Sequence, residues 1–248
     1  MISFKQIFSP ILLLILCSLV ACGDGKMKPI TGGADAELKR CLALANQKKY
    51  EETINCLEAY KSRYRGTDAE AEADLMIADS HFRKKDYLLA AETYRSFLED
   101  FPGHPKSDYA YYKGGLAYLK QSPKQIARDQ QYLELALKNL SNVVNYYPGS
   151  PYYQLAGQAY QNTLARMARK NYNTGRFYYK YGEYRASIPR FIDTVNNYTG
   201  SGYDERSLYY VVSAYKKLKL LDQAQKTVAF FEEKYPNSPW LKKAKGVL

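Results

Sequence analysis

Four cysteines and two histidines are the side chains of this 248-residue chain best suited to nucleophilic attack or transition-metal binding, and their placement excludes most of that chemistry. His81 and His104 are too few to build a histidine cluster, so neither a zinc site nor a Ser-His-Asp arrangement can be assembled around them. His81 falls on an apolar helical stripe and is expected as a satisfied core residue, whereas His104 falls in a turn. The acids Glu51-Glu52 and Glu232-Glu233 belong to solvated helix faces and offer no acid–base couple. Gly32-Gly33 follows no strand and lacks the glycine spacing of a phosphate-binding loop. The expectation is a chain with no catalytic residue, no metal and no cofactor, and hence no enzyme.

The cysteines carry more. A mostly apolar run from Ile7 to Val20, preceded by Lys5, ends in Leu19-Val20-Ala21-Cys22. It falls short of the roughly 20 apolar residues a membrane-spanning helix needs, so residues 1–21 read as a signal peptide. A small residue followed by cysteine at this point resembles the bacterial lipoprotein signal. That likeness implies that the Cys22 thiol takes a diacylglycerol, that cleavage precedes it, and that several acyl chains then hold the protein to a membrane. Gly23, rather than aspartate, after the cysteine agrees with sorting to the outer membrane. Residues 22–33 are polar and glycine-containing and read as a flexible leash. Export places Cys41 and Cys56 in an oxidising compartment, where they are either a disulfide between facing helices of one hairpin or two small buried fillers.

Composition sets the remaining limits. The chain is 46% hydrophobic, enough for a sizeable core, and carries 26 tyrosines against one tryptophan, which suits packing surfaces with one wet ring edge. A net charge of +11 points to an anionic membrane surface or an acidic protein partner, and export argues against nucleic acid.

The elements that must position these residues repeat. The copy from Asp86 to Pro105 recurs as Ala136, Leu140, Val143, Tyr147, Pro148 and as Ala224, Val228, Phe231, Tyr235, Pro236, and more weakly from Tyr50 and Tyr184. Each copy follows a second helical segment with a recurring residue, small in most copies, at Cys41, Ala78, Gly115, Gly175 and Val212, and a larger one three places on at Leu44, His81, Tyr118, Tyr178 and Tyr215. Small residues on both helices let them approach closely, the larger one fills the hairpin core, and proline stops the second helix. The pattern looks like the tetratricopeptide repeat, stretched and irregular: turns near 65, 102, 148, 199 and 236 are 37, 46, 51 and 37 apart. The fold class expected is all-α, a tetratricopeptide-like α-solenoid of about five hairpins, with repeats 1–3 over 34–150 and repeats 4–5 over 151–248. A polar insertion around Gln121 to Gln131 is a candidate contact loop, and Pro151 to Tyr181 reads as one long helix connecting the two halves and setting the bend between them.

His104-Pro105-Lys106-Ser107-Asp108-Tyr109-Ala110-Tyr111-Tyr112-Lys113-Gly114-Gly115-Leu116 resembles the segment joining repeats two and three of the BamD family, also called ComL or YfiO. Arg128-Asp129, Tyr147-Pro148-Gly149-Ser150, Asn162 to Ala165, Phe177-Tyr178-Tyr179 and Gly182-Glu183-Tyr184 resemble its later portions, so the likeness runs over residues 36 to 245. It implies a periplasm-facing outer-membrane lipoprotein, a scaffold of the β-barrel assembly machine. Its partners would be the barrel-forming subunit, accessory lipoproteins and unfolded outer-membrane protein segments. Leu44 replaces the family's usual tyrosine and Arg65 its usual proline, so the N-terminal edge is expected to be looser, and Thr199 replaces the proline of the fourth turn.

Stacked hairpins leave a concave groove lined by first helices. Helical spacing nominates Asp35, Leu38, Leu42, Glu72, Leu75, Asp79, Phe82, Tyr109 and Tyr112 for that groove, with inter-repeat packing as the competing role of the tyrosines. Lys216, Lys217, Lys219, Lys242, Lys243 and Lys245 form a C-terminal patch that meets an acidic partner or is simply a solvated face. The rival function is a repeat lipoprotein that binds or regulates peptidoglycan synthesis.

Overall fold

Helix follows helix through the chain in a computed structural model that describes residues 33–125 and 130–248. The signal segment 1–21, the acylation candidate Cys22, the leash up to Gly32, and Arg128-Asp129 lie outside the described residues. The helices are α1 (Gly33–Asn46), α2 (Tyr50–Arg63), α3 (Asp68–Lys84), α4 (Tyr87–Asp100), α5 (Ser107–Gln121), α6 (Gln131–Tyr146), α7 (Tyr153–Lys180), α8 (Tyr184–Asn197), α9 (Asp204–Lys217), α10 (Leu221–Lys234) and α11 (Pro239–Val247). Successive helices pack against each other, which makes five antiparallel hairpins closed by α11, and the described residues form one compact unit. This is the all-helical tetratricopeptide-like array the repeat pattern predicts.

The recurring small positions sit where the helices of a pair touch. Cys41, Ala78 and Val212 on first helices and Ala90, Ala136 and Ala224 on second helices have no exposed surface. Side-chain-free positions bring the backbones closest: a Cβ on Gly115 would lie 2.8 Å from Leu140 Cγ, and one on Gly175 would lie 2.8 Å from Phe191 Cε1. Hairpins 1 and 4 place Thr53 and Ser187 where the others have alanine. Both are buried, and each hydroxyl donates to a carbonyl of the preceding turn, at Lys49 and Tyr184. The larger residue three places after the small one fills the core completely only at Tyr118. Leu44, His81, Tyr178 and Tyr215 are half-buried. These side chains straddle the edge of the interface and keep part of their surface in water.

Helix ends follow local chemistry. α11 starts at Ser238, whose hydroxyl accepts from the backbone N–H groups of Trp240 and Leu241, with Pro239 at the first helical position. It covers the open end of the last hairpin with Leu241 and Ala244. α7 has 28 residues, about 42 Å of helix, and matches the long segment expected from Pro151 onward. The insertion after α5 is tied down at its base: Ser122 donates to the Tyr118 carbonyl at 2.9 Å, and Arg166 of α7 donates to the Pro123 carbonyl at 3.1 Å. In the first hairpin Cys41 and Cys56 are joined, with 5.5 Å between Cα atoms, linking α1 to α2 across a sequence separation of 15.

Candidate functional site

First helices α3 and α5, with the chain entering α7, enclose a groove of about 430 Å³. Glu72, Leu75, Met76 and Asp79 come from one face of α3, at the spacing a helix requires. Pro105, Lys106, Asp108 and Tyr109 form the facing wall, and Pro151 and Tyr152 the end. The floor is apolar and the rim is charged. Lys106 Nζ lies 2.6 Å from Glu72 Oε2, bridging the two walls, and Asp108 accepts from the Ser150 hydroxyl at 2.5 Å.

Asp79 is the best-anchored charge in the groove. Its carboxylate accepts from the Tyr94 hydroxyl at 2.5 Å and from the Tyr109 hydroxyl at 2.6 and 2.8 Å. Burial pushes both phenols well above the ordinary tyrosine range, and the Asp79 charge adds to the effect. Both therefore stay protonated and keep donating. Lys113 places its ammonium 3.7 Å from Asp79 and 4.1 Å above the Phe82 ring, and burial lowers its pKa. A carboxylate held by two phenols and one lysine presents a fixed negative charge that needs no reorganisation when a partner arrives.

The nine nominated groove residues divide. Glu72, Leu75, Asp79 and Tyr109 meet in this hollow. Leu42 lines a smaller one of about 80 Å³ against Met76, Asp79 and Arg83, so Asp79 belongs to both and the groove continues toward α1. Leu38 packs into the first hairpin core and Asp35 is exposed on the first turn of α1. Phe82 is engaged by Tyr87 and Lys113. Tyr112 stacks on Tyr152 at 5.3 Å, so its ring serves contact between hairpins, and Tyr109 does both jobs, with Tyr152 also 5.3 Å away. Sequence reasoning missed Tyr94, Met76, Lys113 and Tyr152. Lys113 was detectable as the residue one helical turn after Tyr109, whereas Tyr94 and Tyr152 arrive from other elements.

The C-terminal lysines do not form one free patch. Lys216 Nζ donates to the Val247 and Leu248 carbonyls, Lys243 lies 4.3 Å over the Trp240 ring, and Lys245 pairs with Glu232 at 2.6 Å. Lys217 and Lys219 at the α9 end and Lys242 on α11 remain exposed. His81 lies at its hairpin position but is not a satisfied core residue: its buried Nδ1 has no hydrogen-bond partner among the described residues. No group of three or more His, Cys, Asp or Glu suited to a metal ion occurs among the described residues.

Comparison with known proteins places these features in context. The family described as "YfiO: Outer membrane lipoprotein" matches residues 40–230. An outer membrane protein assembly factor BamD of Rickettsia prowazekii is 27% identical over 80% of this chain and 79% of its own length. Those of Haemophilus influenzae, at 25% over 96% and 98%, and Neisseria gonorrhoeae, at 26% over 79% and 77%, are similar too. Among solved structures, one described as "TPR2AB-domain:pHSP90-complex of yeast Sti1" has a TM-score of 0.42 at 14% identity, covering 86% of this chain and 81% of that one.

Proposed function

Since the chain belongs to the YfiO family of outer membrane lipoproteins, we propose that it is a non-catalytic assembly factor for outer-membrane proteins. Its work is to hold polypeptides in defined positions beneath the membrane. The reading rests chiefly on the groove at Asp79: an apolar floor of Leu75, Met76, Pro105, Pro151 and Tyr152, rimmed by fixed charges and open to solvent. That combination suits one or two large apolar side chains of an extended segment, with main-chain N–H groups meeting the carboxylates of Asp79 and Glu72.

The proposed occupants are unfolded outer-membrane protein segments. The proposed docking partners are the barrel-forming subunit and its accessory lipoproteins, with the exposed Lys242 of α11 meeting an acidic face. Acylation at Cys22 supplies the membrane attachment. Nothing in this scheme requires a bond to be made or broken by the chain, and the anchored Asp79 network gives rigidity in place of reactivity.

A photocrosslinking residue at position 109 tests the groove and one at position 242 tests the docking face. Adducts with nascent outer-membrane proteins from the first, and with the barrel subunit from the second, are expected. Depletion of the protein should also lower the level of folded barrels. Adducts with murein synthases alone, together with normal barrel levels, would replace this reading with the peptidoglycan one.

A further inference from the structure

The first helices of the last two hairpins, with α11 beside them, invert the charge of the Asp79 groove. Arg176 follows the small residue Gly175 of α7 as Asp79 follows Ala78 of α3, and Arg206 stands six places before Val212 of α9 as Glu72 stands six before Ala78. Positions that carry carboxylates in the early repeats therefore carry guanidinium groups in the late ones. Neither α7 nor α11 contains an acid. The two acids of α9 are already engaged: Asp204 accepts from the Gly200 N–H at 2.6 Å, the Ser201 hydroxyl at 2.9 Å and the Tyr235 hydroxyl at 3.0 Å, and Glu205 accepts from the Ser238 hydroxyl. Arg176, Arg206 and Lys243 are exposed, and among the described residues none of them has an ion-pair or hydrogen-bond partner.

A belt of aromatic rings joins these cations. Tyr172 of α7 lies 5.9 Å from Tyr210 of α9, Tyr210 lies 5.3 Å from Tyr209, and Tyr209 lies 5.6 Å from Trp240 of α11, so the rings run unbroken across three helices. The Arg176 guanidinium sits 5.9 Å from both Tyr172 and Tyr210, Arg206 sits 5.6 Å from Trp240, and Lys243 Nζ lies 4.3 Å from the same indole. Tyr210 stacks on the fully buried Phe191 with planes 10° apart, which fixes the belt to the core. Burial raises the Tyr172 pKa, the neighbouring Tyr210 adds to that, and Arg176 and Arg206 both act against it, so the two guanidinium groups reach one hydroxyl electrostatically. A guanidinium held over a ring keeps its N–H edge free to meet a planar carboxylate with two parallel hydrogen bonds.

We propose that the face shared by α7, α9 and α11 is a second binding surface, for an extended acidic segment of a protein partner. Carboxylates of that segment meet Arg176 and Arg206, and its intervening apolar side chains lie on the rings of Tyr210, Tyr209 and Trp240. Charge complementarity carries the assignment: three unpaired cations on helices with no free acid select an anion, and the rings between them favour a chain that alternates carboxylates with apolar groups over a bare phosphate. The array thereby holds two polypeptides of opposite character, one on carboxylates near its start and one on guanidinium groups near its end. This surface is independent of what enters the Asp79 groove and of the docking face at Lys242, and its test reads neither.

Trp240 is the single tryptophan of the chain and reports on the belt directly. Full-length protein in neutral detergent is titrated with the peptide acetyl-Glu-Phe-Glu-Phe-Glu-amide and with its glutamine counterpart, while Trp240 emission is followed. The glutamate peptide is expected to change the emission saturably and to bind about tenfold tighter than the glutamine peptide, with affinity falling as salt rises. Arg176→Gln and Arg206→Gln should each weaken it about tenfold. Arg176→Lys, which keeps the charge and loses the fork, should weaken it less, and Lys48→Gln, on the first hairpin, not at all. Helical circular dichroism of each variant should match the parent. Equal binding of the two peptides, no saturable change with either, or an equal loss from Lys48→Gln would overturn the proposal. So would inorganic phosphate, or micelles containing phosphatidylglycerol, that displace the peptide with the same dependence on Arg176, because the face would then be a site for phosphate groups. A parent protein that sediments as a dimer and becomes monomeric with Arg206→Gln would overturn it as well, by making the face an interface between copies of the chain.

Discussion

A methyl group added at Gly175 meets the ring of Phe191, whereas one added at Gly157 meets open space on the same helix. Phe191 is fully buried and cannot swing away, so Gly175→Ala should cost about 1–3 kcal/mol in overpacking, offset by about 1 kcal/mol of helix propensity. The melting temperature is expected to fall by up to about 8 °C, and Gly157→Ala should raise it by about 2–4 °C. His81 offers a pH test. Burial holds its imidazole below the ordinary histidine value, with Asp86 pulling the other way. The unfolded chain therefore takes up a proton that the folded chain resists. The contribution to stability is complete above about pH 6.5 and is lost as pH falls through the lowered value. His81→Tyr, which copies the residue at 118, 178 and 215, should flatten the acid side of a stability–pH curve measured by urea unfolding. A slope unchanged from the parent would show that other groups carry it.

The first and last elements depend on different devices. Among the described residues α1 packs mainly against α2, and the link through Cys41 and Cys56 reinforces that contact. Closing a loop of this size restrains the unfolded chain by about 3 kcal/mol. Replacing both cysteines by serine, or adding reductant, should therefore speed amide exchange in α1 and α2 and leave α5 to α10 protected. Loss of protection throughout the array would mean that the hairpins unfold as one unit. At the other end, α11 shields the last hairpin. Deleting residues 239–248 should expose the surface around Val212 and Phe231, raise exchange in α9 and α10 and promote association, because an uncapped repeat presents apolar surface to water.

For the molecule as a whole, function follows from shape and attachment. Hairpins locked by buried alanine, glycine and aromatic pairs give a stiff array, and its α3–α5 groove keeps the Asp79 network assembled without ligand. Tyr94→Phe removes one donor to that carboxylate and should cost about 1.5–3 kcal/mol, the usual range for a hydrogen bond to a charged group. If the groove receives unfolded segments, the same change should weaken crosslinking from position 109 while leaving docking at Lys242 intact. Loss of both together would indicate general unfolding.

Much of this was written into the order of residues. Small positions at 41, 78, 115, 175 and 212, alanines opposite them and prolines after the second helices fix hairpins in series, because close helix packing and helix termination are local demands that a chain satisfies or fails by residue type. The same periodicity placed Glu72, Leu75 and Asp79 on one helix face. Tertiary structure alone decided which tyrosines the groove keeps: Tyr112 is spent on Tyr152, Tyr109 is shared, and Tyr94 reaches Asp79 from the following helix. It also separated the six C-terminal lysines into three engaged by other groups of the chain and three without such contacts. Side-chain partners across hairpins depend on the angle and offset between packed helices, and those arise from the sum of all contacts, which no single repeat encodes.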